Sequence, residues 1–120
     1  MPLYKRFTLS YFERLHKKND FKKCLDMGQL LQNNKMKIVV YQRNDDNNIQ
    51  RLGLITSHKV GTAVVRNKTK RLIREVFRLH KHLIKTQLDL IIILSKQTVL
   101  LDYNNIKSNF LNLLKKGGYY

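Results

Sequence analysis

Apolar and polar positions follow three different periods along this chain. Residues 36–41 are apolar and β-branched through Ile38, Val39 and Val40, which predicts a strand. Asn44-Asp45-Asp46-Asn47-Asn48 is a cluster of turn formers. Residues 49–57 then return as a second strand, so the two are expected to pair as a hairpin. Residues 88–94 are apolar except for Asp89, the pattern of a central strand buried on both faces. Helical spacing governs the rest. Phe21, Cys24, Leu25 and Met27 predict a short helix over 20–27, with Asn19 as N-cap, Asp20 in the first turn and Gly28 as the stop. After a loop at His58-Lys59-Val60-Gly61, steps of three, four and seven link Val65, Leu72, Ile73, Val76, Leu79, Leu83 and Ile84. They predict a long helix over 62–84 with one buried stripe. A last helix over 103–116 starts at Asp102, turns Ile106, Phe110, Leu111, Leu113 and Leu114 inward, and ends at Gly117-Gly118.

The order α-β-β(-β)-α-β-α describes an α+β fold, a two-layer α/β sandwich with a small mixed sheet. The strands over 49–57 and 88–94 flank one helix and are expected to be parallel. With 120 residues the chain holds one core, so 1–120 is read as a single domain. Residues 1–14 form a basic-aromatic arm (Tyr4, Lys5, Arg6, Phe7, Tyr11, Phe12, Arg14), and 117–120 a tail. Tyr11 and Phe12 are read as packing residues or as part of that arm. The start has no apolar signal core, and no run is long enough for a membrane helix. Cys24 stands alone, which excludes an internal disulfide and fits a reducing cytoplasm.

Charge narrows the function. Lys and Arg number 24 against 8 Asp and Glu, a formal net charge of +16. Such a surface repels itself unless a polyanion covers it. Nucleic acid is the leading partner. A membrane surface ranks second, because no basic helix here has a wide Trp- or Phe-rich face. The acids at 13, 20, 26, 45, 46, 75, 89 and 102 are scattered, so neither a hydrolase-type pair nor a metal cluster is expected. His80 and His82 are two apart on a helix and point to different sides, which argues against a zinc site.

The charge concentrates in one element. Between Arg66 and Lys85 lie eight Lys or Arg (Arg66, Lys68, Lys70, Arg71, Arg74, Arg78, Lys81, Lys85) and one acid, Glu75. Arg66, Lys70 and Arg74 recur every four residues, and Arg71, Arg78 and Lys85 every seven, so these positions are expected to project together. Like charges four apart cost an isolated helix about 0.2–0.5 kcal/mol per pair. A solvated helix face normally mixes signs. A one-signed face is explained if phosphates neutralise it.

Arg66-Asn67-Lys68-Thr69-Lys70-Arg71-Leu72-Ile73-Arg74 resembles the R-N-x-x-K-R-x-x-R signature of the bacterial ribonuclease P protein subunit. The resemblance continues in Asp20-Phe21, Arg51-Leu52-Gly53-Leu54, Ser57-His58-Lys59-Val60-Gly61, Ala63-Val64 and Asp89-Leu90-Ile91-Ile92-Ile93, and spans about residues 14–116. It implies an α/β sandwich with a left-handed crossover around the signature helix, against the usual right-handed rule. It implies a partner role: a catalytic RNA, with its own Mg²⁺ ions, removes the 5′ leader of precursor tRNA. The protein binds the leader and steadies the active RNA and its metal sites. By that resemblance Arg66, Asn67, Lys68, Lys70, Arg71 and Arg74 contact the catalytic RNA. Phe21, Leu25, Tyr41, His58 and Lys59 belong to the leader-binding cleft, where aromatic faces stack on bases of any sequence. No residue of the protein is expected to be catalytic or to bind metal, and no DNA or membrane partner is expected.

Three positions depart from the family pattern. Lys68 replaces an Arg and loses a bidentate fork while keeping the charge. His58 replaces a Lys or Arg and brings a pH-dependent charge. Leu25 replaces an aromatic, leaving an apolar surface without a stacking ring. From the residues alone, Phe21 and Tyr41 serve equally well as core or as platforms. A ribosomal or other structural RNA-binding protein shares the charge and size, and remains the alternative.

Overall fold

The computed structural model describes residues 9–120, so Tyr4, Lys5, Arg6 and Phe7 of the expected arm lie outside the described residues. The elements run α1 (Lys18–Met27), β1 (Gln29–Gln32), β2 (Lys37–Gln42), β3 (Arg51–Ile55), α2 (Ala63–His80), β4 (Leu88–Ile93) and α3 (Tyr103–Lys116). Single 3₁₀ turns occupy Tyr11–Glu13, His58–Val60, Lys81–Leu83 and Thr98–Leu100. The mixed sheet has the order β1-β2-β4-β3. β2 is antiparallel to both β1 and β4, while β3 runs parallel to β4, as the flanking helix required.

The expected hairpin between residues 36–41 and 49–57 does not form, because β4 lies between β2 and β3. The reason is burial. Leu88 to Ile92 are all buried, and a strand with two apolar faces needs a layer on each side and a strand on each edge. The hairpin that does form is β1–β2. Its turn is closed by Asn33 Oδ1, which accepts the N–H groups of Lys35 at 2.8 Å and Met36 at 2.9 Å. β1 buries only Leu31, so it carries no period by which a strand announces itself.

Two helix boundaries also shift. α1 begins at Lys18 with Lys17 at the cap position, so Asn19 lies within the first turn and caps nothing. Gly28 does end it, and a Cβ there would lie 2.7 Å from Val39 Cγ1. α2 stops at His80 and hands over to the Lys81–Leu83 turn, which leaves Lys85 off the helix. The buried face of α2 is Thr69, Ile73, Val76 and Phe77. Val65, Leu79 and Leu83 are exposed. Val65, Leu72 and Leu79 are seven apart and share one edge of the helix, whereas the large Ile73 and Phe77 centre the face on the sheet. Asp102 caps α3 as expected, accepting the Asn105 N–H at 2.8 Å.

α2 and α3 cover one face of the sheet over Ile38, Val40, Leu88, Leu90 and Ile92. The opposite face carries α1, which seals Leu15, Cys24, Val39 and Ile91. Tyr119, beyond α3, is also tied in. Its hydroxyl donates to Gln29 Oε1 at 2.8 Å, and its carbonyl accepts the Lys85 N–H at 2.9 Å.

One polar cluster locks the end of the sheet. Asp89 is buried on β4, beside Tyr41 of β2 and Arg51 of β3. Its Oδ1 accepts from Arg43 Nη1 at 2.8 Å and from Arg51 Nε at 2.7 Å, and its Oδ2 from Arg51 Nη2 at 2.7 Å. Arg51 reaches on to Asp20 of α1 at 3.2 Å. Arg43 donates to the carbonyls of Asn47, Ile49 and Leu88 and to Asp45, so one guanidinium holds the whole 44–49 loop. Next to this cluster, burial and the negative charge of Asp89 push the Cys24 thiol up to about 12.

Removing the buried carboxylate that both guanidinium groups share leaves Arg43 and Arg51 to their more exposed partners Asp45 and Asp20. Asp89→Asn is expected to cost about 3–5 kcal/mol in urea-induced unfolding. Cys24 is expected to stay unmodified by an aromatic disulfide reagent at pH 8, where about one thiol in 10⁴ is ionised, and to react at once in denaturant.

Candidate nucleic-acid interface

The sequence of α2 sorts its side chains into sides. At 3.6 residues per turn, Lys70, Arg74, Asn67, Arg78 and Arg71 fall within an arc of roughly 100° beside the buried stripe. Lys70 and Arg74 stand at the edge of that arc, next to β3. There they meet the segment that precedes α1. Arg14, His16, Lys70 and Arg74 surround a groove of about 230 Å³ whose floor includes Phe21 and Gly53. No carboxylate lines it. Burial and the charge of Arg14 lower the pKa of Arg74, the mark of like charges held together out of water. An anion in the groove relieves that repulsion.

Gly53 explains how an aromatic ring comes to lie on a β-strand. A Cβ at this position would sit 2.6 Å from Phe21 Cζ, so only glycine admits the ring. Phe21 is thereby half-buried, serving as core below and as groove floor above. Tyr41 is half-buried on β2, with Lys23 Nζ 5.6 Å from its ring centroid. It opens into a separate cavity of about 190 Å³, lined also by Asp20, Lys23, Arg43 and Asp89. The two rings pack against the same apolar cluster but face different openings.

The remaining predicted residues disperse. Arg66 turns back, and its Nη1 donates to the carbonyls of Gly61 and His58, bracing the loop that leads into α2. Asn67 and Arg71 are exposed. Lys68 lies on the other flank of the helix, beside an apolar groove with Val65, Leu72 and Val99. Leu25 is exposed on α1, and His58 and Lys59 are exposed in the turn before α2; none of the three lines the Phe21 or the Tyr41 cavity.

Three contributors are not evident from local sequence. Gly53 has a weak signal of its own, since a glycine inside a strand marks close approach. Arg14 belongs to a segment with the composition of an arm. It instead forms a parallel bridge with Leu52, which brings its guanidinium to the groove. Arg43 has a local partner in Asp45, but its buried partner Asp89 comes from 46 residues away. Among the described residues no group of three His, Cys, Asp or Glu is placed to hold a metal ion. Asp20, Asp45 and Asp89 do line one cavity, but Arg43 and Arg51 already bind their oxygens. No helix among the described residues is long and apolar enough to cross a membrane.

Comparison with known proteins bears on the family and the fold. The family model described as Ribonuclease P matches residues 9–118. The ribonuclease P protein component of Clostridium novyi is 33% identical over 108 residues, covering 90% of this chain and 96% of that one. The corresponding protein of Bacillus pumilus is 38% identical over 108 residues, covering 89% of each. A solved structure of the Staphylococcus aureus RNase P protein, a mutant with defective mRNA degradation activity, superposes with a TM-score of 0.84 at 29% identity and covers all of both chains. The chain belongs to the ribonuclease P protein family.

Proposed function

We propose that this chain is the non-catalytic subunit of an RNA-based ribonuclease P, and that it binds both the catalytic RNA and the single-stranded 5′ leader of precursor tRNA. The observation that carries this reading is the groove between α2 and β3. Four basic side chains, Arg14, His16, Lys70 and Arg74, surround an aromatic floor, and none of its lining residues is acidic. Phosphates satisfy the rim and a base stacks on Phe21. Neither contact reads sequence, which suits a subunit that accepts many leaders.

The division of labour follows from side-chain chemistry. The exposed Arg71 and Asn67, with Lys70 and Arg74, present α2 to the catalytic RNA. Arg66 acts by holding the His58–Gly61 loop in place, so its contribution to RNA binding is partly through that loop. The Mg²⁺ ions that assist phosphodiester hydrolysis belong to the RNA in this reading. The protein's part is to lower repulsion between RNA strands so that the metal-binding fold of the RNA persists. The reaction is placed in the cytoplasm, where a reduced Cys24 is the ordinary state.

Two measurements test this division. Replacing Lys70, Arg71 and Arg74 with Ala should weaken binding to the catalytic RNA. It should also reduce the log–log salt slope by about 0.7–0.9 for each phosphate that the protein no longer neutralises, and an unchanged slope removes α2 from the interface. Phe21→Ala should slow cleavage of long-leader precursors by about tenfold, the worth of one stacked base, and spare precursors with a one-nucleotide leader. An equal effect on both would confine Phe21 to the core.

A further inference from the structure

The turn Tyr11–Glu13 presents a puzzle of exposure. Its backbone is firmly anchored. Leu9 and Leu15 on either side are buried. Ser10 N–H donates to Glu13 Oε1 at 3.2 Å, Glu13 Oε2 pairs with Lys81 Nζ, and Leu15 N–H donates to the Leu52 carbonyl at 3.0 Å. Yet the turn holds two aromatic rings in water, with Tyr11 67% and Phe12 69% exposed. The rings are set edge to face at 5.6 Å between centroids. His16 stacks on Tyr11 at 4.1 Å, inclined by 20°, and its Nε2 lies 2.8 Å from the Tyr11 carbonyl oxygen. Packing does not account for rings that are anchored and left uncovered.

Their surroundings indicate what covers them. Tyr11, Phe12 and His16 border a cavity of about 300 Å³, and Arg14, Lys17 and Arg51 supply its positive charge. Asp20 also lines it, but its Oδ2 is engaged by Arg51 at 3.2 Å. At about 300 Å³ the cavity is at the lower end of the volumes that small-ligand sites occupy, and it has room for a nucleobase. It shares Arg14 and His16 with the groove over Phe21, so the two cavities adjoin on this side of the molecule. Because the turn is already ordered, little conformational entropy is lost when a base stacks on it.

We propose that Tyr11, Phe12 and His16 form a second base-stacking subsite for single-stranded RNA, with Arg14 and Lys17 holding the adjoining phosphates. The proposal rests on the reading that unpaired RNA runs through the Phe21 groove, and extends that path by at least one nucleotide.

The test uses the full-length protein and a fluorescein-labelled decamer of uridylate, followed by anisotropy at several salt concentrations. The double variant Tyr11→Ala/Phe12→Ala should weaken binding about tenfold or more with an unchanged salt slope, since rings and not charges are removed. Tyr11→Phe should bind as the unaltered protein does. Full affinity in the double variant overturns the subsite. Phe21→Ala separates the two ideas. Weaker binding there with none in the double variant keeps the groove and removes the subsite, whereas the reverse keeps the subsite and removes Phe21 from the RNA path. A second experiment needs no variant. Irradiation of the unaltered protein with a decamer carrying 4-thiouridine should give adducts at Tyr11 or Phe12. Adducts confined to other residues overturn the proposal.

Discussion

The carboxylate of Asp89, clasped by Arg43 and Arg51, is the contact on which this architecture turns. It lies on the central strand, in the layer beneath α1, where a lone charge is costly. Two guanidinium groups and their further partners make it tolerable. In doing so they connect four pieces of chain: β4 through Asp89, β3 through Arg51, the first turn of α1 through Asp20, and the 44–49 loop through Arg43. Such a cluster stabilises less than its many hydrogen bonds imply, because desolvation offsets much of the gain. Its effect is on register. A slip of either neighbouring strand by one residue would strand a buried charge.

That registration matters for the groove beside α2. β3 must lie against β4 for Gly53 to meet Phe21, and Leu52 must be in place for the Arg14 bridge. Only then is Arg74 part-buried and set beside Arg14, the two causes, burial first, that lower its pKa. The closeness of like charges in the groove is thus imposed by the fold. Acids and bases are partitioned accordingly. The Asp89 cluster is self-neutralised, while the groove beside α2 is left with one sign.

Much of this is legible along the chain. The two-faced apolar run at 88–94 announces the central strand, Asp102 announces α3, and the excess of Lys and Arg over the single acid Glu75 in α2 points to a polyanion. The clustering of Lys70, Arg71 and Arg74 on one side of α2 follows from their spacing alone. Other features are hidden for definite reasons. β1 has a single buried residue, so no alternation marks it. The expected hairpin joins two strands that are neighbours in sequence, but the better-buried β4 takes the place between them. The expected stripe on α2 is off-centre, because Val65, Leu72 and Leu79 fit a heptad while Phe77 carries the larger buried volume. Arg66 looks like its neighbours in the signature, yet its guanidinium serves the backbone of the preceding loop.

Local sequence by itself determined what is set by neighbours within a few residues: helix and strand periods, a cap, a glycine stop, and the sign of a helical face. Those properties depend on chain geometry that repeats every two or 3.6 residues. Tertiary structure alone decided strand order, the pairing of Asp89 with Arg43 and Arg51, and the meeting of Arg14, Phe21 and Gly53 with Lys70 and Arg74. These contacts join segments tens of residues apart. Their energies come from excluding water between surfaces and pairing charge in its absence, and such terms exist only once the layers have closed.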